Sequence, residues 1–271
     1  MRCCGHGILA VIIVKRLTVI IPSRSQPEQA TFLARALQSI GAQSARASLL
    51  IDVVIGLDPD APVPVLPETD LPVRYAHAPQ RSQASALNAA ASLLDADYLA
   101  FLEDDDRWQV AHLAVAMEFL QQAEFVSTTQ LELDHSDAIL RINDFPTPSG
   151  WVMPRSTWER VGEFDAQYRY HLDSEWLGRL GDAALRRIHV AEATAPAQVA
   201  MAIQVRPWLA AVVVNGGGHS SLARHGGAIP NVLRLVHPQS GMSQIATDAA
   251  KRAASDDEVA RLQARFGRVP W

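Results

Sequence analysis

The chain has 271 residues, enough for one large domain or two small ones, and 48% of them are apolar, so a sizeable core is available. A formal net charge of -5 is small for that length and leaves no basic footprint for nucleic acid. The only cysteines, Cys3 and Cys4, are adjacent, which gives neither a metal-ligand spacing nor a disulfide framework and fits a reducing, cytoplasmic compartment.

The first apolar run, Ile8 to Val14, is closed by Lys15-Arg16. It is too short to span a bilayer, and it lacks the longer apolar region and small-residue cleavage site of a signal peptide. Residues 1–16 are read as an extension ahead of the folded domain, or as an extra strand. Leu17 to Ser23 is β-branched and interrupted by Pro22, which predicts a buried first strand. Ser25-Gln26-Pro27-Glu28 reads as a capping box with proline in the first turn. Behind it, Ala30, Leu33, Leu37 and Ile40 recur at helical spacing. A second strand is predicted over Leu49–Ile55, ending at a turn, Gly56-Leu57-Asp58-Pro59-Asp60, that carries two acids. A proline-rich loop over residues 61–72 leads to a short strand at Val73–Ala76. Ala84–Leu94 reads as a helix and Tyr98–Leu102 as a buried strand. This strand–helix alternation predicts a parallel, doubly wound α/β sheet.

Directly behind that last strand, Glu103-Asp104-Asp105-Asp106 sets four carboxylates in a row. Like charges at a strand end repel one another unless a cation compensates. Hard oxygen ligands suit magnesium or manganese, which in turn hold phosphate oxygens. In open α/β sheets, ligands bind beyond the carboxyl ends of the strands, so the placement suits a metal–phosphate site. The competing reading is a solvated acidic loop.

The second half is less regular. Val110–Gln122 reads as a helix, and Phe125–Leu133 and Ala138–Ile142 as strands around a polar turn at Asp134–Asp137. Trp151–Met153 is short and apolar, Ser156–Val161 a short helix, and Gly162-Glu163-Phe164-Asp165 a turn. Leu172–Leu180 reads as helical, with Asp173 near its start. Val212–Val214 runs as a strand into a glycine-rich loop, Gly216-Gly217-Gly218-His219-Ser220-Ser221. Asp256–Phe266 closes the chain as an amphipathic helix.

Five segments in order resemble a family 2 glycosyltransferase with the GT-A fold: VIIPSR at the first strand, Asp58 after the second, RSQASALN from Arg81 to Asn88, FLEDDDRW, and VGEFDAQYRYHLDSEW. The resemblance covers roughly residues 17–180 and implies a Rossmann-like, mostly parallel central sheet with a smaller mixed region on the acceptor side. It implies one domain over residues 17–245, with a nucleotide-sugar half (17–108) and an acceptor half (109–245), and a C-terminal helix over 246–271. It also implies roles. Pro22 and Ser23 lie beside the nucleobase, with Arg24 at the pocket mouth. Asp58 hydrogen-bonds the base, and Arg81 stands near the diphosphate. Asp104 faces the ribose or the donor sugar, Asp105 ligates Mn2+ or Mg2+, and Asp173 is the general base. The implied partners are a UDP-, GDP- or dTDP-sugar and a saccharide or other hydroxyl acceptor, with transfer by inversion and no transmembrane segment. The loop after residue 214 is similar to a mobile segment that would bring His219 to the metal or phosphate, with His225 as its competitor. Three places depart from the family: Glu103 stands where aspartate is usual, Leu172 where glutamate is usual, and Asp58-Pro59-Asp60 replaces Asp-Asp-Gly, so either of its acids could hold the base.

Each residue has a plainer reading beside this one. Asp173 could cap a helix, Asp58 could close an Asx turn, Arg81 could be a surface cation, and His219 an ordinary loop histidine. Trp151 and Trp176 are core residues or sugar-stacking faces. Two other classes compete: a metal-dependent phosphohydrolase with an aspartyl nucleophile, and a non-catalytic nucleotide-binding module on the same fold.

Overall fold

The β-branched run at the start of the fold becomes the middle of a sheet. In a computed structural model, the described residues are 14–143, 145–191, 211–214, 232–238 and 240–270. β1 (Lys15–Ser23) lies between β2 (Leu49–Leu57) and β4 (Tyr98–Phe101), parallel to both, and β3 (Val73–His77) continues beyond β2. On the other side of β4 come β9 (Val152–Pro154), β6 (Phe125–Thr128), β10 (Arg187–Ala191) and β11 (Ala211–Val214). β9 pairs antiparallel with both of its neighbours, and every other pairing in this sheet is parallel. Both faces are covered, as a parallel sheet requires. Leu17, Val19 and Ile21 pack with residues of α1 (Ala30–Gly41) and α3 (His112–Phe119), whereas Ile20 packs with α2 (Gln83–Ala91), α4 (Arg155–Val161) and α5 (Leu172–Asp182).

β2 runs two residues past the expected end, through Gly56 to Leu57. Gly56 pairs with Pro22 on one side and Ala76 on the other, and a β-carbon there would collide with the carbonyl of Ala86. This glycine is therefore not punctuation: it lets α2 sit directly on the sheet. The expected Ser25–Glu28 capping box does not form. Instead Gln29 Oε1 accepts from Gln26 N at 3.2 Å, and Ser25 takes a left-handed backbone with φ 53°.

The apolar run at 125–133 is not one strand. It crosses between sheets at Thr129, whose N–H donates to Val190 in the large sheet and whose carbonyl accepts from Val232 in a second one. That second sheet has the order β5 (Arg107–Trp108), β12 (Val232–Leu235), β7 (Gln130–Leu133) and β8 (Ile139–Asn143). Two C-terminal helices follow, α6 (Gly241–Thr247) and α7 (Ala249–Phe266). No helix among the described residues is long and apolar enough to cross a membrane.

Trp151 and Trp176 are fully buried, 5.1 Å apart, and their indole N–H groups donate to Pro146 and Gly162 carbonyls. Together with Phe101, Phe125 and Phe164 they form an aromatic core, which removes them as sugar-stacking faces.

Candidate active site

The carboxyl ends of β1, β2 and β4 open into a cavity of about 490 Å³. Pro22, Ser23, Arg24, Asp58, Arg81, Asp104 and Asp105 all line it, so the structure brings seven of the nine singled-out residues into one place. Asp173 lies in the first turn of α5, close enough for the charge of Glu103 to act on it. His219, His225 and the glycine-rich loop lie outside the described residues.

The acidic run is tightly organised. Asp104 is buried and accepts from Ser23 Oγ at 2.6 Å; burial, then the charge of Asp105, pushes its pKa up to about 7. Asp106 is almost wholly buried and accepts from Ser149 Oγ at 2.6 Å. Burial, then Asp105, holds it well above the ordinary range, and its Oδ1 has no hydrogen-bond partner. Glu103 is raised for the same reasons; it accepts from Gln83 Nε2 at 2.8 Å, and its backbone N–H donates to Ser149 Oγ at 3.0 Å. One serine hydroxyl thus bonds both ends of the acidic turn, Glu103 and Asp106. Glu103 and Asp105 are half-buried, and Asp105 Oδ2 lies 2.8 Å from His237 Nε2.

Glu103, Asp105 and Asp106 each offer an oxygen within 4.8 Å of the others. All-oxygen ligands, raised pKa values and one orphaned carboxylate oxygen together fit a hard divalent cation. Arg234, also on the cavity wall, partly answers the same charge. Burial works against its guanidinium, but Asp106, Glu103, Glu132 and Asp105 outweigh that and raise its pKa.

The other candidates sit around this centre. Asp58 is 9% exposed, and its turn is closed by Ala61 N–H donating to its backbone carbonyl, which leaves the carboxylate free of an Asx-turn duty. Arg81 lies at the rim, 3.8 Å from Asp58 and 3.7 Å from Asp60, with 70% of its side chain exposed. Asp173 is not a helix cap, because His171 occupies that position. Its Oδ1 accepts from Ser174 N at 2.7 Å, while burial, reinforced by Glu103, pushes its pKa up to about 7.

Sequence reading missed His237, Arg234, Ser149 and Gln83. A signal existed for the first two: Val232 to Val236 is an apolar run interrupted by an arginine and closed by His237-Pro238. A charge in the middle of a strand needs a buried partner. Ser149 and Gln83 carry no comparable signal.

The family model described as Glycosyl transferase family 2 matches residues 18–166. No curated protein matches the chain. Two crystal structures of S. aureus TarS share its fold with a TM-score of 0.50 at 10% identity. The first match covers 92% of this chain and 43% of that one, so the chain spans less than half of that protein's length. The second, TarS 1-349 in complex with UDP, covers 92% of this chain and 72% of that one.

Proposed function

The chain belongs to glycosyl transferase family 2 and is a glycosyltransferase, and from that premise we propose that it moves a sugar from a nucleoside-diphosphate sugar to an acceptor hydroxyl, with inversion and with a divalent metal. The observation that carries this reading is the convergence at one cavity of Asp58, Arg81 and the clustered acids, with Asp173 held near neutrality beside them.

The base end of the donor lies along Pro22, Ser23 and Arg24, with Asp58 accepting from a ring N–H. The diphosphate lies between Arg81 and the acidic loop, and Asp104 faces the ribose or the donor sugar. Asp105, with Asp106 or Glu103, would hold Mn2+ or Mg2+, with His237 beside Asp105; His219 keeps its proposed role as the loop residue that reaches the metal or phosphate. When bound, the cation supplies neutralisation of the charge that grows on the leaving diphosphate. Asp173 accepts the proton of the acceptor hydroxyl as that oxygen attacks the anomeric carbon. The carbon–oxygen bond to the diphosphate breaks, and its electron pair leaves with the nucleotide. Arg81 and Arg234 meet the resulting charge. Attack from the face opposite the leaving group inverts the centre. A base with a pKa near 7 suits this task, since about half of it is ionised at neutral pH and it is basic enough to take a proton.

We read residues 17–245 as the catalytic domain and, from the cysteine usage, place the protein in the cytoplasm. UDP-sugars are the first donors to try, because a fold neighbour has been crystallised with UDP. The test is incubation with UDP-, GDP- and dTDP-sugars and manganese, with nucleoside diphosphate release as the readout. Metal-dependent release from at least one donor is expected. Binding of nucleotide without release from any donor would favour a non-catalytic module instead.

A further inference from the structure

Residues 169–171 lead into α5, lie beyond the segment matched by the family, and are held by the far end of the chain. The carboxylate of Glu258 on α7 accepts three consecutive backbone N–H groups: Arg169 at 2.7 Å, and Tyr170 and His171 at 2.9 Å each. Ser255, one turn earlier on α7, meets His171 Nε2 at 2.8 Å. Glu258 and Ser255 are both buried. The same helix takes hold of α5 again further along, where Arg265 Nη1 lies 2.8 Å from the buried Glu175 carboxylate. Three hydrogen bonds to this one carboxyl group thus converge on a segment with no regular structure of its own. Asp173 follows two residues after the last of these donors.

We propose that Glu258 is a positioning residue for the transfer reaction: by gathering the N–H groups of residues 169–171, it fixes the first turn of α5 and aims the Asp173 carboxylate at the acceptor hydroxyl. The inference rests on the assignment of Asp173 as base in the preceding subsection. A misplaced base costs far more in turnover than in binding, because only the transition state needs the alignment. α7 is thereby part of the catalytic apparatus, and more than a cover for the sheet.

Two measurements on the full chain test this. Glu258→Gln keeps the shape but replaces one acceptor oxygen by an NH2 group. Hydrogen exchange of amides 169–175 is expected to quicken about tenfold, with β1 and β4 unchanged. On the active member of the donor panel with manganese, kcat is expected to fall about tenfold while the donor KM stays within about twofold. In an Asp173→Asn background the same substitution should leave the residual turnover unchanged, because the two act as one unit. Unaltered exchange, or an equal loss in both backgrounds, overturns the proposal and reduces Glu258 to a stabilising contact. If Glu258→Gln does not fold, Ser255→Ala carries both measurements, with an expected kcat loss of about threefold, and wild-type behaviour there overturns it equally. Near-normal turnover of Asp173→Asn alone strikes the base assignment and the positioning role with it. Failure of the wild type to turn over any donor strikes the proposed function, and the exchange result then decides whether α7 holds this turn.

Discussion

Asp173 is half-buried, and desolvation, reinforced by the charge of Glu103, pushes its pKa up to about 7. A base must be ionised to work, so kcat is expected to rise with pH and level off above about pH 7, measured as a pH–rate profile at saturating donor. Asp173→Asn removes the basicity and keeps the shape; it should bind nucleotide and lose turnover by roughly two to four orders of magnitude. The same variant makes a stability statement. The folded pKa is raised from 3.8, so ionisation costs stability progressively as pH climbs toward 7, and the cost is complete above it. Asparagine has no such cost, so its Tm should exceed that of the wild type at about pH 8 and the gap should narrow toward about pH 5. Asp105 behaves differently: its charge raises Glu103, Asp104 and Asp106, so removing it relieves repulsion. Asp105→Asn is expected to fold, and in a thermal-shift measurement to show none of the stabilisation that manganese with UDP gives the wild type. A retained manganese-dependent shift would take Asp105 out of the metal site. Asp105 was legible in sequence because it follows the apolar strand β4, whereas Asp173, in the first turn of α5, was singled out only by the family resemblance. His237 was not legible, since its partner Asp105 lies 132 positions away and only the fold brings them together.

At the scale of elements, the acidic loop depends on a short 3-10 turn, Pro148–Gly150. Ser149 from that turn donates to Asp106 and accepts from Glu103 N, and it is fully buried. Ser149→Ala leaves both groups short of a partner and should cost about 1–3 kcal/mol in urea denaturation, with manganese affinity weakened as well. A variant as stable as the wild type would show that water replaces the hydroxyl. Gly56 poses a steric problem of the opposite kind. A methyl there meets the Ala86 carbonyl, so Gly56→Ala must push α2 off the sheet at a cost of about 3 kcal/mol or more. Neither dependence can be read from local pattern. The sequence showed β1, β2 and β4 because their apolar runs are bounded by polar turns. It concealed the break at Thr129, because both halves of that run are buried and the pattern of residue types does not change where the chain changes sheet.

The whole molecule carries opposed electrostatic demands. Surface carboxylates such as Asp70, bonded by Arg46, and Asp134, bonded by Ser136, have lowered pKa values, so their contribution is present above the ordinary carboxylate range and lost on acidification below it. The site does the reverse. Asp104 and Asp173 are each raised from 3.8 to about 7, so the folded state binds more protons than the unfolded chain across that interval, and stability falls as pH rises through it. Without metal, the two trends together place the stability maximum on the acid side of neutrality, between about pH 4 and 6. The fold thus holds its clustered acids at a cost that the proposed cation would offset. Metal competes with protons for the same oxygens, so manganese should raise Tm clearly at about pH 7.5 and much less at about pH 5.5. Thermal unfolding at both values, with manganese and with a chelator, checks this. An equal manganese effect at the two values would mean that the ion binds elsewhere, on groups that do not titrate between them.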